Sequence, residues 1–214
     1  MINHCYRWAV KNAQTLINIY LFINILGVIL WRVYGLYKLG RLDFIETAFV
    51  LHNCALAWVV LIRQRHIRVD RNLLHQCIAV IAFFSGIAFI GRTAAYDNPV
   101  VAGISGVIMA AAGLLGLITV LNLKDSFGIL IACREIKTHG LYRFVRHPMY
   151  AADILLRIGY LVSHCTVFTI SIFILSTACY VWRAVLEEQF LENQSDDYKA
   201  YMAAVRYRFV PGCF

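Results

Sequence analysis

Charged side chains are scarce in this chain: aspartate, glutamate, lysine and arginine make up 15% of its 214 residues. Soluble globular domains carry about a quarter, so an ordinary water-soluble fold is excluded. Hydrophobic residues account for 61% and come in long runs, which is typical of a polytopic membrane protein. The formal net charge of +8 is confined to a few segments, where it orients the chain and attracts anionic lipids. We therefore expect membrane lipids as partners and no nucleic acid.

Cysteine patterns that bind metal or build a disulfide framework are also missing. The 7 cysteines are an odd number, are scattered and include no CxxC pair, so we expect no metal site. The polar segment Met1 to Gln14 precedes an apolar run without a convincing small-residue cleavage site. That run is predicted to be a retained first span rather than a signal peptide.

The apolar runs predict four N-terminal transmembrane helices, each near the roughly 20 residues that a crossing needs. The most basic loop, Arg63 to Arg71, is expected to face the cytoplasm under the positive-inside rule. Two further crossings then return the chain to that side. The predicted spans run from about Leu16 to Trp31, Phe44 to Ile62, Leu73 to Gly91 and Pro99 to Leu123.

A polar segment, REIKTHGLYRFVRHPMY, follows from Arg134 to Tyr150. Gly140 and Pro148 interrupt any continuous helix in it. Basic, histidine and aromatic residues between long apolar runs predict a ligand site at a membrane surface. Because this segment lies two crossings after the basic loop, we expect a multi-pass membrane protein with its active site on the cytoplasmic side.

The last apolar runs predict a helical hairpin followed by an amphipathic tail. Its arms run from about Tyr150 to Val162 and from Val167 past Leu186, and the polar turn Ser163 to Thr166 joins them. The predicted fold is all-α and polytopic, with about four N-terminal spans and the hairpin. Transmembrane helices occupy residues 1–123, and a C-terminal catalytic region with a cytosolic donor-binding segment occupies 124–214.

The hairpin also predicts which polar residues meet. Helices rise about 1.5 Å per residue, so two arms lie at equal height at equal distances from their turn. His147 and Arg183 are nearly equidistant from the turn at His164 and Cys165. Arg183, and Glu187 one turn further, are therefore expected beside His147. A simpler alternative is an i,i+4 salt bridge between Arg183 and Glu187 where the helix leaves the bilayer.

Three motifs, in order, resemble the integral membrane methyltransferases related to isoprenylcysteine carboxyl methyltransferase. That family carries GxYxxxRHPxY, then RxxxEE after a helical hairpin, then a YxxY tail that ends near a proline-glycine. The resemblance covers roughly residues 126–214. The matching residues are Gly140, Tyr142 and Arg146 to Tyr150, then Arg183, Glu187 and Glu188, then Tyr198, Tyr201, Pro211 and Gly212.

The resemblance implies S-adenosyl-L-methionine as cofactor and methyl donor, without a Rossmann fold or a GxGxxG motif. It implies catalytic roles for Arg183 and Glu187, with Arg183 also binding the substrate. The donor-binding residues that it implies are Arg134, Glu135, Ile136, Lys137, Tyr142, His147, Pro148, Met149, Tyr150 and Glu187.

The implied reaction is methyl transfer to a lipophilic small molecule or a lipidated substrate at the membrane interface. The acceptor group is a carboxylate, as in isoprenylcysteine carboxyl methylation, or a lipid amine. The sequence departs from the family pattern at Arg134, where eukaryotic enzymes have histidine, and at Asp153, where a small residue is common.

Two other functions stay open. An NADPH-dependent membrane reductase of the sterol reductase kind would share a related RHPNY-like corner, in which this chain has Met149. A non-catalytic lipid-binding membrane protein would keep the fold alone. Paired Glu187 and Glu188 favour the methyltransferase.

Overall fold

The computed structural model describes residues 2–39, 44–62, 67–89 and 98–213. Within these ranges the chain is mostly helical, with two short strands. The helices are α1 (Ile2–Leu39), α2 (Phe44–Ile62), α3 (Leu73–Phe84), α4 (Pro99–Leu123), α5 (Pro148–Ser163), α6 (Val167–Glu192) and α7 (Asp196–Ala204), and the strands are β1 (Arg68–Val69) and β2 (Ala132–Cys133).

In the described ranges, three helices are long and apolar enough to cross a membrane: residues 18–35 of α1, all of α4, and all of α6. Their outer surfaces carry large apolar side chains, among them Val107 at 71% exposure and Ile174 at 62%. Hydrocarbon rather than water would cover a surface of this kind. The predicted helical membrane architecture is thus confirmed, while the predicted number of spans stays a prediction.

α2 begins and ends where the second span was predicted, but α3 is shorter than the third. It ends at Phe84 and passes into a 3-10 turn, Ser85–Phe89. The Ser85 hydroxyl donates to the Ala82 carbonyl at 2.6 Å, a local bond that competes with continued helix, and Gly86 weakens the helix further. Residues 90–97, which hold the end of the predicted third span and most of the link after it, lie outside the described ranges, as do residues 63–66 at the start of the basic loop.

The C-terminal hairpin forms as predicted, with its turn at His164 and Cys165. A capping box starts α6: the Thr166 hydroxyl accepts from the Thr169 N–H at 3.2 Å, and the Thr169 hydroxyl accepts from the Thr166 N–H at 2.9 Å. This cap satisfies backbone groups that the helix start would leave unpaired.

α4 packs closely against α5 through small residues. The Ser105 hydroxyl lies 2.7 Å from the Gly159 carbonyl and 3.0 Å from the Ser163 hydroxyl. A Cβ at Gly159 would come within 2.7 Å of the Met109 Cγ. Glycine and serine therefore let the two helices approach to a distance that larger residues would prevent.

The strands β1 and β2 pair antiparallel, which joins the end of the basic loop to the two residues just before the polar segment. Gln76, in α3, supports this pairing, because its side chain donates to the Ile131 carbonyl and accepts from the Ile131 N–H, both at 3.0 Å. Arg68 donates to Gln194, just beyond α6, at 2.7 Å. The basic loop, the polar segment and the end of α6 consequently lie at the same end of the molecule.

Candidate active site

A cavity of about 520 Å³ is lined by residues from all seven helices and from the polar segment. Pro148, buried as the first residue of α5, is not among the lining residues. The other predicted site residues meet on its wall: Arg134, Glu135, Ile136, Lys137, Tyr142, His147, Met149, Tyr150, Arg183 and Glu187.

The polar end of the cavity, as we name it, is formed by Arg134, Tyr142, Tyr150 and Glu187. Glu187 accepts a hydrogen bond from the Tyr150 hydroxyl at 2.5 Å. The charge of Glu187 also acts on the Arg134 guanidinium and on the Tyr142 hydroxyl. A carboxylate and a cation thus line one compartment without forming an ion pair with each other.

Burial sets the protonation behaviour of the polar end. It lowers the pKa of the Arg134 guanidinium, and the Glu187 carboxylate opposes that shift. It raises the pKa of the Tyr142 hydroxyl far above its usual range, with the Glu187 charge adding to the effect. Tyr142 therefore stays a neutral hydroxyl at any physiological pH.

Arg134 reaches the cavity over Gly128, where an added Cβ would overlap its guanidinium. Its Nε is buried and has no hydrogen-bond partner in the described part of the chain. A buried donor without a partner is costly, so this arginine is well suited to bind an anionic group of a ligand.

Arg183 is held by backbone carbonyls. Its terminal nitrogens donate to Ala79 at 3.0 Å, Ile129 at 2.6 Å and Gly128 at 3.3 Å. Its Cζ lies 5.1 Å from the centre of the Tyr150 ring, a cation–π contact. No ion pair joins it to Glu187 among the described residues, so the simpler salt-bridge alternative is wrong, and only its Nε remains without a partner.

Glu188, beside Glu187 in sequence, binds the RHPMY corner. Its Oε1 accepts from the Arg146 Nε at 2.8 Å and lies 3.0 Å from the His147 Nε2. Its Oε2 accepts from the Arg208 Nε at 2.9 Å. At 2% exposure, this carboxylate is the buried counter-charge that holds the corner and the tail together.

The tail also binds the corner through its backbone. The Arg146 N–H donates to the Tyr207 carbonyl at 2.9 Å, and the His147 N–H donates to the Arg208 carbonyl at 2.8 Å. The Arg146 Nη1 donates to the Val205 carbonyl at 2.7 Å. Together with the Glu188 contacts, these bonds form what we name the tail clamp. His147 consequently faces the cavity as a fixed ring, stacked on Tyr150 at 5.1 Å and 8°.

The deep end of the cavity, as we name it, lies further along α5. Its wall includes Asp153, Arg157 and Tyr180 together with apolar and aromatic residues, and the Arg157 Nη2 donates to the Ser85 hydroxyl at 3.0 Å. The Tyr180 hydroxyl donates to Asp153 at 2.8 Å and accepts from the Arg157 Nη2 at 3.4 Å. The surrounding residues are Phe89, Met109, Leu156 and Tyr160.

Sequence reasoning missed two features of this site. The clamp role of Glu188 was not predicted, because a motif gives the order of residues and not the rotation of the helix that carries them. Arg157 was not singled out, although an arginine well inside an apolar helix is by itself a sign of a functional or paired charge.

These features define a class: an integral membrane protein whose interior polar site continues into an apolar chamber. Residues 99–196 match the sequence model of the family described as phospholipid methyltransferase. Over this segment, the predicted resemblance to a family of membrane methyltransferases is confirmed. The matched segment takes in α4, α5, α6 and the polar segment. No curated protein matches the chain.

Proposed function

We propose that the protein transfers a methyl group from S-adenosylmethionine to a lipophilic acceptor, a carboxylate or a lipid amine. One observation carries the proposal: a cavity joins an ionisable end at Glu187 and Arg134 to an apolar and aromatic end around Leu156 and Phe89. A water-soluble donor suits the first environment and a lipid-derived acceptor suits the second. The family of the C-terminal region supports the same reaction type.

The polar end fits the donor chemically. S-adenosylmethionine carries a carboxylate, an ammonium group and ribose hydroxyls, and it supplies an electrophilic methyl group on sulfur. Glu187 would bind the ammonium or the hydroxyls, and Arg134 would bind the carboxylate. The cavity volume of about 520 Å³ lies within the range for small-molecule sites, roughly 300–1,000 Å³.

The residues of the chain mainly position the reactants and exclude water. A carboxylate acceptor attacks the methyl carbon without a general base. An amine or hydroxyl acceptor must lose a proton. Glu188 and His147 bind each other, whereas Glu187 lines the cavity and accepts from the Tyr150 hydroxyl there, so Glu187 is the candidate base. Arg183, whose Nε has no partner among the residues that the structure describes, would face the acceptor beside Tyr150.

Calorimetric titration of the purified full chain with S-adenosylhomocysteine tests the donor site. Glu187→Gln and His147→Ala should each weaken binding by about 1–3 kcal/mol, the range for losing a hydrogen bond to a charged group. Glu192→Gln is the matched control, because Glu192 is an exposed glutamate on the same helix. Unchanged affinity in both site variants would remove these residues from the donor site.

The same titration separates the alternatives. A reductase of the sterol reductase kind would bind NADPH instead of S-adenosylhomocysteine, and a non-catalytic lipid-binding protein would bind neither. Paired glutamates and the intact RHPMY corner favour the methyltransferase.

A further inference from the structure

Arg157 occupies an unusual position for a cation. It lies nine residues beyond Pro148, the first residue of α5, and therefore about 14 Å further along the helix axis. It is 6% exposed and lies on the wall of the cavity. An ionised side chain at that depth in an apolar helix is costly unless it is paired.

Protein groups satisfy only part of this guanidinium. Its Nη2 contacts the Ser85 hydroxyl at 3.0 Å and the Tyr180 hydroxyl at 3.4 Å. Its Cζ lies 4.6 Å from the Tyr180 ring centre and 5.9 Å from that of Phe89. Its Nε and Nη1 are buried and have no hydrogen-bond partner in the described part of the chain. A purely structural role explains the contacts of Nη2 but does not explain why Nε and Nη1 are buried without partners.

Asp153, one turn earlier on α5, does not occupy these two nitrogens. Its Oδ2 accepts from the Tyr180 hydroxyl at 2.8 Å, and no ion pair within 4.0 Å joins it to Arg157 among the described residues. The Tyr180 hydroxyl lies between Asp153 and Arg157, and the Nε and Nη1 groups of Arg157, which have no partner among the described residues, remain available to a ligand.

We propose that Arg157, positioned by Ser85 and Tyr180, binds the anionic oxygen-acid group of an amphiphile in the deep end of the cavity. Carboxylates and phosphates share the planar or tetrahedral oxygen arrangement that a guanidinium fork recognises. Met109 and Leu156, on the same wall, would contact the hydrocarbon part. Taking this amphiphile as the methyl acceptor rests on the proposed function, and it makes the acceptor an acid rather than a simple lipid amine.

The experiment compares three probes with the same chain length: dodecanoate, dodecyl phosphate and dodecylamine. Each is titrated into the purified full chain in a neutral detergent. Whichever of the two acids binds more tightly shows whether the site prefers a carboxylate or a phosphate. We expect both acids to bind more tightly than the amine. Arg157→Met should weaken acid binding by about tenfold or more, the effect of losing one charge-assisted hydrogen bond. Arg143→Met, which removes an exposed arginine outside the cavity, should change nothing.

Melting temperature is the control for a structural role. Replacing a buried, partly unpaired cation with methionine should leave the melting temperature unchanged or raise it. Arg157→Lys keeps the charge and loses the fork, so it should bind the acids more weakly than the wild type and more tightly than Arg157→Met. This variant also carries the test should Arg157→Met not fold.

Equal affinity of wild type and both Arg157 variants for the acids would overturn the proposal. The proposal would also be overturned if Arg157→Met lowered the melting temperature and weakened the binding of all three probes equally. S-adenosylhomocysteine titration separates the two levels of inference. Acid binding that depends on Arg157, without any binding of S-adenosylhomocysteine, would leave the subsite standing and refute the proposed function. Normal S-adenosylhomocysteine binding, together with acid binding that does not depend on Arg157, would leave the proposed function standing and refute the subsite.

Discussion

Glu187 and Glu188 are adjacent in α6 but bind different parts of the molecule. Successive residues of a helix point about 100° apart, so one carboxylate reaches Tyr150 and the other reaches Arg146 and His147 at the start of the RHPMY corner. A glutamate pair can thus line a ligand site and secure the wall of that site at once.

Replacing Glu188 with glutamine should release the tail clamp. An amide cannot neutralise Arg146 and Arg208, and breaking a buried ion pair costs about 3–5 kcal/mol. Glu188→Gln should lower the free energy of unfolding by that amount. It should also expose the tail around Arg208 to trypsin. Thermal melting in detergent and limited proteolysis measure the two effects. If Glu188→Gln had the same melting temperature as the Glu192→Gln control and its tail stayed resistant to trypsin, the proposed role of Glu188 in the tail clamp would be wrong.

Replacing Arg183 tests a different buried contact. Its guanidinium fork binds carbonyls of α3 and of the segment 128–129 together. Arg183→Ala leaves these carbonyls unsatisfied and should destabilise the fold by about 1–3 kcal/mol. Arg183→Lys should be nearly as damaging, because a point charge cannot reach the same carbonyls together. Melting curves of both variants give the comparison. A stable Arg183→Lys protein would indicate that charge alone matters at this position.

The sequence predicted which residues lie close together where their positions follow from the number of residues along a helix. The arms of the hairpin do bring Arg183 and Glu187 beside the corner at His147 and Tyr150, because helical rise is constant. The partners of Arg183 were beyond prediction. They are backbone carbonyls of α3 and a loop, and no side-chain pattern marks a carbonyl as an acceptor.

At the scale of elements, the contact between α4 and α5 sets the position of the RHPMY corner, since α5 begins there. α4 also carries Gly113, where an added Cβ would meet nothing within 4 Å. The helices instead meet at Ser105 and Gly159. A small residue on α4 therefore does not by itself mark the packed face, because that face is set by the partner helix α5.

A larger side chain at Gly159 should separate these helices. Gly159→Val would collide with Met109, whose backbone nitrogen lies 3.1 Å from the position of an added Cβ. Overpacking of this kind costs about 1–3 kcal/mol. Thermal melting should show the loss, whereas Gly113→Ala, in an open position on α4, should melt like the wild type. Equal behaviour of the two variants would argue against close packing at Gly159.

The pairing of β1 with β2 is an element that the sequence could not predict. Each strand has only two residues, too few for an alternating pattern. The pairing is non-local and depends on Gln76, whose side chain bonds the backbone of Ile131. The all-α prediction is therefore right for the architecture and incomplete at the point where the basic loop meets the polar segment.

At the scale of the whole molecule, the predicted topology follows from charge and from helix length. α6 has 26 residues and is therefore about 39 Å long, enough to cross the roughly 30 Å hydrocarbon core. Its first end carries the exposed turn residue Cys165, and its last end lies beside Arg68. These two ends should face opposite sides of the membrane.

Cysteine labelling in sealed vesicles tests this arrangement. In a background without native cysteines, Arg68→Cys and Lys199→Cys should react with a membrane-impermeant maleimide from the cytoplasmic side, because basic segments are retained there. A cysteine restored at position 165 should react only from the other side and serves as the matched control. Labelling of positions 68 and 199 from opposite sides would conflict with the contact between Arg68 and Gln194 as well as with the charge rule. Labelling of all three positions from one side would mean that α5 and α6 enter and leave the bilayer without crossing it.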